Sequence, residues 1–168
     1  MFVIETLQKQ HDRSAFSCGA EALDIYLRQS AGQDKRRNVA SIFVAVRDHD
    51  TRVCGYYTLS TAGIPYVSLD DDTQRIMPRY ASLPAIRLGR LAVDISCRGQ
   101  RLGEFMLLDA MRRSLQIPIA WQFFVVDAKE NAVLFYANYG FISCRDNENH
   151  LYLSRKDVAA FMGDMQIG

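Results

Sequence analysis

The chain has little of what would mark a secreted, metal-binding or membrane protein. Its 168 residues include only four cysteines. Cys18, Cys54, Cys97 and Cys144 are scattered without CxxC spacing, which argues against a disulfide framework and for free thiols in a reducing cytoplasm. The three histidines, His11, His49 and His150, lie far apart and leave no metal-site signature. The one apolar run of note, around residues 117–126, is broken by Pro118 and Gln122 and is too short to span a membrane. Met1-Phe2-Val3-Ile4-Glu5 lacks the basic segment and long apolar stretch of a signal peptide. No repeat, low-complexity tract or Gly/Ser linker divides the sequence, so a single domain over 1–168 is expected, with a substantial core. A net charge of +1 excludes a polycation, and 49% hydrophobic with 23% charged residues suits an ordinary globular chain.

Strands and helices are expected to alternate. Phe2-Val3-Ile4 reads as a strand. Leu23, Tyr26, Leu27 and Ala31 recur at helical spacing after Phe16-Ser17-Cys18-Gly19. Residues 41–46 and 53–59 form an antiparallel pair around Asp48-His49-Asp50. Residues 63–84, with Pro65, Pro78, Pro84 and Asp70-Asp71-Asp72, read as a long irregular insertion. A strand at 86–95, a helix to about Leu115, a strand at 120–126, a helix at 129–138, strands near Phe141 and Leu151–Leu153 and a closing helix follow. This order indicates an α/β or α+β sandwich.

Residues 88–103 carry the most chemistry. An apolar strand, Leu88-Gly89-Arg90-Leu91-Ala92-Val93-Asp94, leads through Ile95-Ser96-Cys97 into Arg98-Gly99-Gln100-Arg101-Leu102-Gly103. That loop opens a helix with leucine and methionine at helical spacing. Unpaired N–H groups and the positive end of the helix dipole would face the loop, and glycines let a phosphate approach the backbone. Arg98 and Arg101 add two cations. From this loop alone, a phosphate cradle and a ligand-free strand-to-helix turn stand level.

Downstream, the β-prone run Trp121–Val126 leads into Asp127-Ala128-Lys129-Glu130-Asn131 and then Phe135-Tyr136-Ala137-Asn138-Tyr139-Gly140-Phe141. The two regions together resemble the signatures of the GNAT-fold acetyltransferases: an R/Q-x-x-G-x-G/A loop and an "FY…GF" segment. Arg98 and Gly103 fit the loop pattern, while Arg101 stands where its first glycine is required. The resemblance implies a GNAT fold, with a mixed, mostly antiparallel central sheet split between two strands and flanked by helices. It implies acetyl-CoA as co-substrate and no metal. The cofactor would be held by Leu91, Ala92 and Val93 through backbone groups, by Arg98, Gly99, Gln100, Arg101, Leu102, Gly103 and Glu104 around the pyrophosphate, and by Asn131, Phe135 and Tyr136. Tyr136 is the catalytic acid implied, with Tyr139 as rival. Asn131 could instead cap its helix, and Phe135 could pack against cofactor or core.

Further segments resemble one branch, the acetyltransferase toxins of bacterial type II toxin–antitoxin modules, of the TacT and AtaT type. They are Phe16-x-Cys18-Gly19, Leu23-Asp24 and Leu27, Gln33-Asp34-Lys35-Arg36-Arg37, Gly55-Tyr56-Tyr57-Thr58-Leu59, and Asn147-Glu148-Asn149. That branch implies N-acetylation of the amino acid on charged tRNA, a homodimer and a ribbon-helix-helix antitoxin. Lys35, Arg36 and Arg37, with Arg79 and Arg90, are then candidates for tRNA phosphates. They equally suit a solvated helix face and, at Arg90, a structural ion pair. No general base is evident, which mildly favours an α-amine, with pKa ~7.7–8.0, over lysine at ~10.4. Two other readings stay open: a GNAT acting on a small amine or protein N-terminus, and a catalytically weak CoA-binding module that acts with an antitoxin as a DNA-binding corepressor.

Overall fold

In a computed structural model, which describes residues 1–167, the chain begins with strand β1 (Phe2–Thr6). A helical run follows as α1 (Glu21–Ile25), a π-helical turn (Tyr26–Ser30) and α2 (Ala31–Arg36). Next come β2 (Ser41–Arg47), β3 (Val53–Pro65), α3 (Asp71–Ile76), β4 (Ser82–Val93), α4 (Leu102–Leu115), β5 (Phe123–Asp127) and α5 (Val133–Ala137). The chain closes with β6 (Ile142–Ser143), β7 (His150–Ser154) and α6 (Arg155–Ile167). The strands belong to one seven-stranded sheet in the order β1-β2-β3-β4-β5-β7-β6. The β1–β2, β2–β3, β5–β7 and β6–β7 ladders are antiparallel, and β4–β5 is parallel. The mixed, mostly antiparallel sheet with flanking helices expected from the sequence is present.

Residues 63–84 depart from expectation. They are largely regular: β3 continues to Pro65, a 3-10 turn spans Tyr66–Ser68, α3 follows, and β4 begins at Ser82. The physical reason is tertiary. The backbone N–H of Asp70 donates to the Tyr152 hydroxyl at 2.8 Å, and that hydroxyl donates in turn to the Asp70 carboxylate. Leu69 is fully buried with Ile64, Leu83, Phe123 and Val125. A proline- and aspartate-rich stretch thus gains order from partners about 80 positions away that no local pattern reveals.

Two compact units divide the chain. Met1–Ser60 with Gly89–Ala110 form one; Thr61–Leu88 with the chain from Met111 onward form the other. In the first, Phe16, Leu27, Ile42, Val44 and Tyr56 make a core on which α1 and α2 lie. The α4 residues Leu102, Met106, Leu107 and Ala110 are buried at helical spacing, and the Asp109 carboxylate accepts a bond from the Tyr57 hydroxyl at 2.6 Å. Gly55 makes this packing possible. A Cβ there would come within 2.9 Å of Met106 Cε and 3.1 Å of the Ala92 carbonyl oxygen. Gly55→Ala is expected to cost about 1–3 kcal/mol through overpacking, read as a lower midpoint in chemical denaturation.

In the second unit, β5 is buried along Phe123–Val126, as expected of a strand covered on both faces. Its parallel ladder with β4 covers Ala85–Leu88 against Phe123–Val126 and stops there, while β4 runs on to Val93.

Candidate active site

In the first unit the end of β4 delivers Leu91, Ala92 and Val93 to the glycine-arginine loop, and the Asp94 N–H bonds to the Cys54 carbonyl at 2.8 Å. A 3-10 turn, Ile95–Cys97, starts on Asp94, whose carboxylate accepts from the Ser96 N–H at 2.9 Å. Arg98 is extended, and Gly99 (φ +78°) and Arg101 (φ +60°) are both left-handed. Alternation of this kind turns successive N–H groups toward one concavity, an anion-binding nest. The first-turn N–H groups of α4, on Leu102, Gly103 and Glu104, lack intrahelical acceptors by helix geometry, and the dipole adds positive potential. A Cβ placed on Gly99 would meet nothing within 4 Å. Backbone donors, open space and positive potential fit a pyrophosphate.

Arg101 answers the question its position raised. It holds a left-handed backbone of the kind that glycine adopts freely, at a conformational cost. Its side chain is largely exposed and pairs with Glu104 at 2.9 Å. Left-handed backbone costs roughly 1–2 kcal/mol outside glycine, and glycine's extra freedom in the unfolded chain offsets about 0.5–1. Arg101→Gly is therefore expected to raise stability by about 0.5–1 kcal/mol, measurable as a higher thermal midpoint.

Arg98 is engaged by its own protein: the guanidinium donates to the Cys18 carbonyl at 2.7 Å. Gln100 is exposed and accepts from Arg47 at 3.4 Å. Leu102 is buried and anchors the start of α4.

The basic candidates divide. Lys35 donates its ammonium to the Leu7 carbonyl, and the Arg90 guanidinium lies 3.6 Å from the centre of the Tyr26 ring. Both brace the N-terminal helices, Arg90 through a cation–π contact where an ion pair was the alternative. Arg36 and Arg37 are exposed at the C-terminal end of α2, and Arg79 is exposed between α3 and β4.

In the second unit Tyr136 is buried on α5, its ring edge-on to Phe135 (centroids 5.1 Å apart) and Phe141 (5.6 Å). Burial pushes the Tyr136 phenol above its ordinary value of 10, so it carries its proton throughout the neutral range. Phe135 packs between Tyr136 and Tyr139, and Tyr139 leans on Phe161. Asn131 is exposed in a short 3-10 turn (Glu130–Ala132). The cap positions there are Lys129, for that turn, and Ala132, for α5, and neither supplies a side-chain cap bond. The capping alternative for Asn131 is not realised. Among the described residues no group of three or more His, Cys, Asp and Glu could hold a metal ion, and no helix is long and apolar enough to cross a membrane. All four cysteines are buried and unpaired in disulfides.

Sequence reasoning passed over Asp94. It is buried, and it accepts from Ser17 N–H at 2.9 Å and from Ser96 N–H and Oγ, with Arg52 at 3.7 Å. The signal was present: an acid two residues before a serine is the pattern of a side chain capping a turn. Burial alone would raise its pKa, but the bonds from Ser96 and Ser17 and the Arg52 charge outweigh it and hold the carboxyl below the usual range. A carboxyl depressed on folding contributes stability above its unfolded pKa, about 3.9, and loses that contribution as pH falls through the lower folded value. Acidification below about pH 4 should lower the thermal midpoint of the wild type, and the drop should be smaller in Asp94→Asn.

Residues 36–151 match the acetyltransferase (GNAT) domain family. A "tRNA-acetylating toxin" of Mycobacterium tuberculosis (strain ATCC 25618 / H37Rv) is 34% identical over 156 residues, covering 91% of this chain and 92% of that protein. The structure of AtaT complexed with acetyl-methionyl-tRNAfMet superposes with a TM-score of 0.86 at 29% identity, covering 96% of this chain and 99% of that one. A tyrosine-to-phenylalanine mutant of AtaT bound to the C-terminus of the antitoxin AtaR and acetyl-CoA gives 0.80 at 27% identity, covering 97% and 99%.

Proposed function

The chain belongs to the GNAT acetyltransferase family, in the group that contains tRNA-acetylating toxins, and from that premise we propose that it acetylates the α-amino group of aminoacyl-tRNA and so blocks translation. The observation that carries this reading is likeness along nearly the whole chain, from the N-terminal block through the loop to the tyrosine segment. A generic GNAT domain would share the loop and the tyrosine segment but not the N-terminal block.

Acetyl-CoA, when bound, supplies the acetyl group as an activated thioester. The nest at Gly99–Arg101 and the N-terminus of α4 would hold its pyrophosphate, and the backbone of Leu91, Ala92 and Val93 its pantetheine arm together with Asn131. An N–H on that β4 segment would polarise the acetyl carbonyl, as oxyanion donors do. Tyr136 Oη would give its proton to the sulfur as the carbon–sulfur bond breaks and the new amide forms. The proton lost by the amine returns through solvent to the tyrosinate, leaving free CoA thiol and N-acetylated product. An α-amine with pKa ~7.7–8.0 is substantially neutral near pH 7, so the residues need supply no dedicated base. Arg36, Arg37 and Arg79 would contact tRNA phosphates, positioning the acceptor end without reading sequence.

The same reading takes the chain as one GNAT domain that works in the cytoplasm, as a homodimer neutralised by a ribbon-helix-helix antitoxin. The test is transfer of labelled acetyl to a pool of charged tRNA, with uncharged tRNA and free amino acids as controls. Label on charged tRNA alone supports the proposal. Label on free amino acids or protein N-termini would turn it to the small-amine alternative.

A further inference from the structure

The chain leading into the loop that would hold the pyrophosphate is tied twice to one N-terminal segment. At its entrance the Asp94 carboxylate accepts the Ser17 N–H at 2.9 Å, and the Ile95 N–H donates to the Ser17 carbonyl at 2.8 Å. Just before the nest the Arg98 guanidinium donates to the Cys18 carbonyl at 2.7 Å. Gly19 is left-handed (φ +88°), and a Cβ on it would lie 2.9 Å from an Arg98 guanidinium nitrogen. The left-handed backbone therefore calls for glycine, and a Cβ there would push the Arg98 guanidinium from its place. The segment is itself fixed: Phe16 is buried against Tyr56, the Phe16 carbonyl accepts from Arg28 at 2.7 Å, and the Cys18 N–H donates to the buried Asp24 at 2.9 Å.

We propose that Ser17-Cys18-Gly19, clamped by Asp94 and Arg98, is a brace that sets the shape of the cofactor loop, which makes Asp94 and Gly19 positioning residues for acetyl-CoA. The inference rests on the acetyltransferase reading. It gives the Arg98 guanidinium a bracing bond to the protein's own backbone, beside the phosphate contact its position implies. It also gives Phe16-x-Cys18-Gly19 a task beyond opening a helix. Loop N–H groups bind an anion only when they converge before it arrives, because a loop that must be ordered on binding loses affinity to conformational entropy.

The test is acetyl-CoA affinity by calorimetry, with steady-state KM and kcat, for wild type, Asp94→Asn, Gly19→Ala and Arg98→Lys. Neither the buried acid nor the glycine has a side chain able to contact a phosphate. The brace therefore predicts that Asp94→Asn and Gly19→Ala each weaken acetyl-CoA binding about tenfold or more, with KM rising and kcat at saturation moving much less, a split that loss of overall stability does not produce. Arg98→Lys, which keeps the charge but loses the planar fork, should behave like them. Wild-type affinity in folded Asp94→Asn and Gly19→Ala proteins would overturn the brace, and a loss confined to Arg98→Lys would return Arg98 to the phosphate. Should Asp94→Asn not fold, Gly19→Ala decides alone. A wild type that fails to bind acetyl-CoA would overturn the acetyltransferase reading along with the brace, whereas wild-type binding with unchanged variants sinks the brace only.

Discussion

Tyr136→Phe should lower the rate of acetyl transfer ~10²–10⁴-fold, the usual worth of a positioned proton donor, while acetyl-CoA affinity stays near that of the wild type. The substitution removes one oxygen from a buried residue whose ring contacts with Phe135 and Phe141 do not involve that atom, so the fold should survive it. The pH dependence follows from the burial that raises the phenol above its ordinary value of 10. A raised pKa keeps the acid form present at every pH below that value, so Tyr136 adds no descending limb to kcat below about pH 10. Activity should climb as the substrate amine loses its proton around pH 8 and then level off. A Phe variant that transfers label at the wild-type rate would reduce Tyr136 to a packing residue and make Tyr139→Phe the next variant to measure.

The second large effect concerns the acceptor. Reversing charge at Arg36 and Arg37 together should reduce kcat/KM for charged tRNA on the order of 100-fold at moderate salt, since each phosphate contact contributes roughly one unit to the salt slope. The loss should fall wholly on tRNA, with acetyl-CoA KM unchanged. Exposure separates this pair from its basic neighbours. Both arginines are exposed at the end of α2, whereas Lys35 and Arg90 are occupied by the Leu7 carbonyl and the Tyr26 ring. Raising the salt should weaken the wild type more steeply than the double variant. Equal salt slopes for the two proteins would remove Arg36 and Arg37 from the tRNA surface.

Much of the site was legible in the primary structure because its chemistry is local. A strand, a glycine-arginine loop and a helix N-terminus make up the candidate anion site through contiguous backbone. Tyr136 sits in a short segment whose aromatic neighbours follow within five residues. The alternation of hydrophobic runs likewise gave most strands, since a strand's period is a property of adjacent residues. What the chain by itself determined is thus most of the element order and the likeness to acetyltransferase toxins, together with the candidate phosphate loop and the candidate tyrosine. Tertiary structure alone decided the rest, because each remaining feature depends on partners far apart in sequence. The order of residues 63–84 comes from Tyr152 and the core around Leu69. The engagement of Lys35 and Arg90, against the exposure of Arg36 and Arg37, depends on where Leu7 and Tyr26 lie. The roles of Asp94, Arg98 and Gly19 come from contacts spanning nearly 80 residues. Side-chain identity proposes which groups are able to bind, and only the fold fixes which of them are already bound to the protein itself.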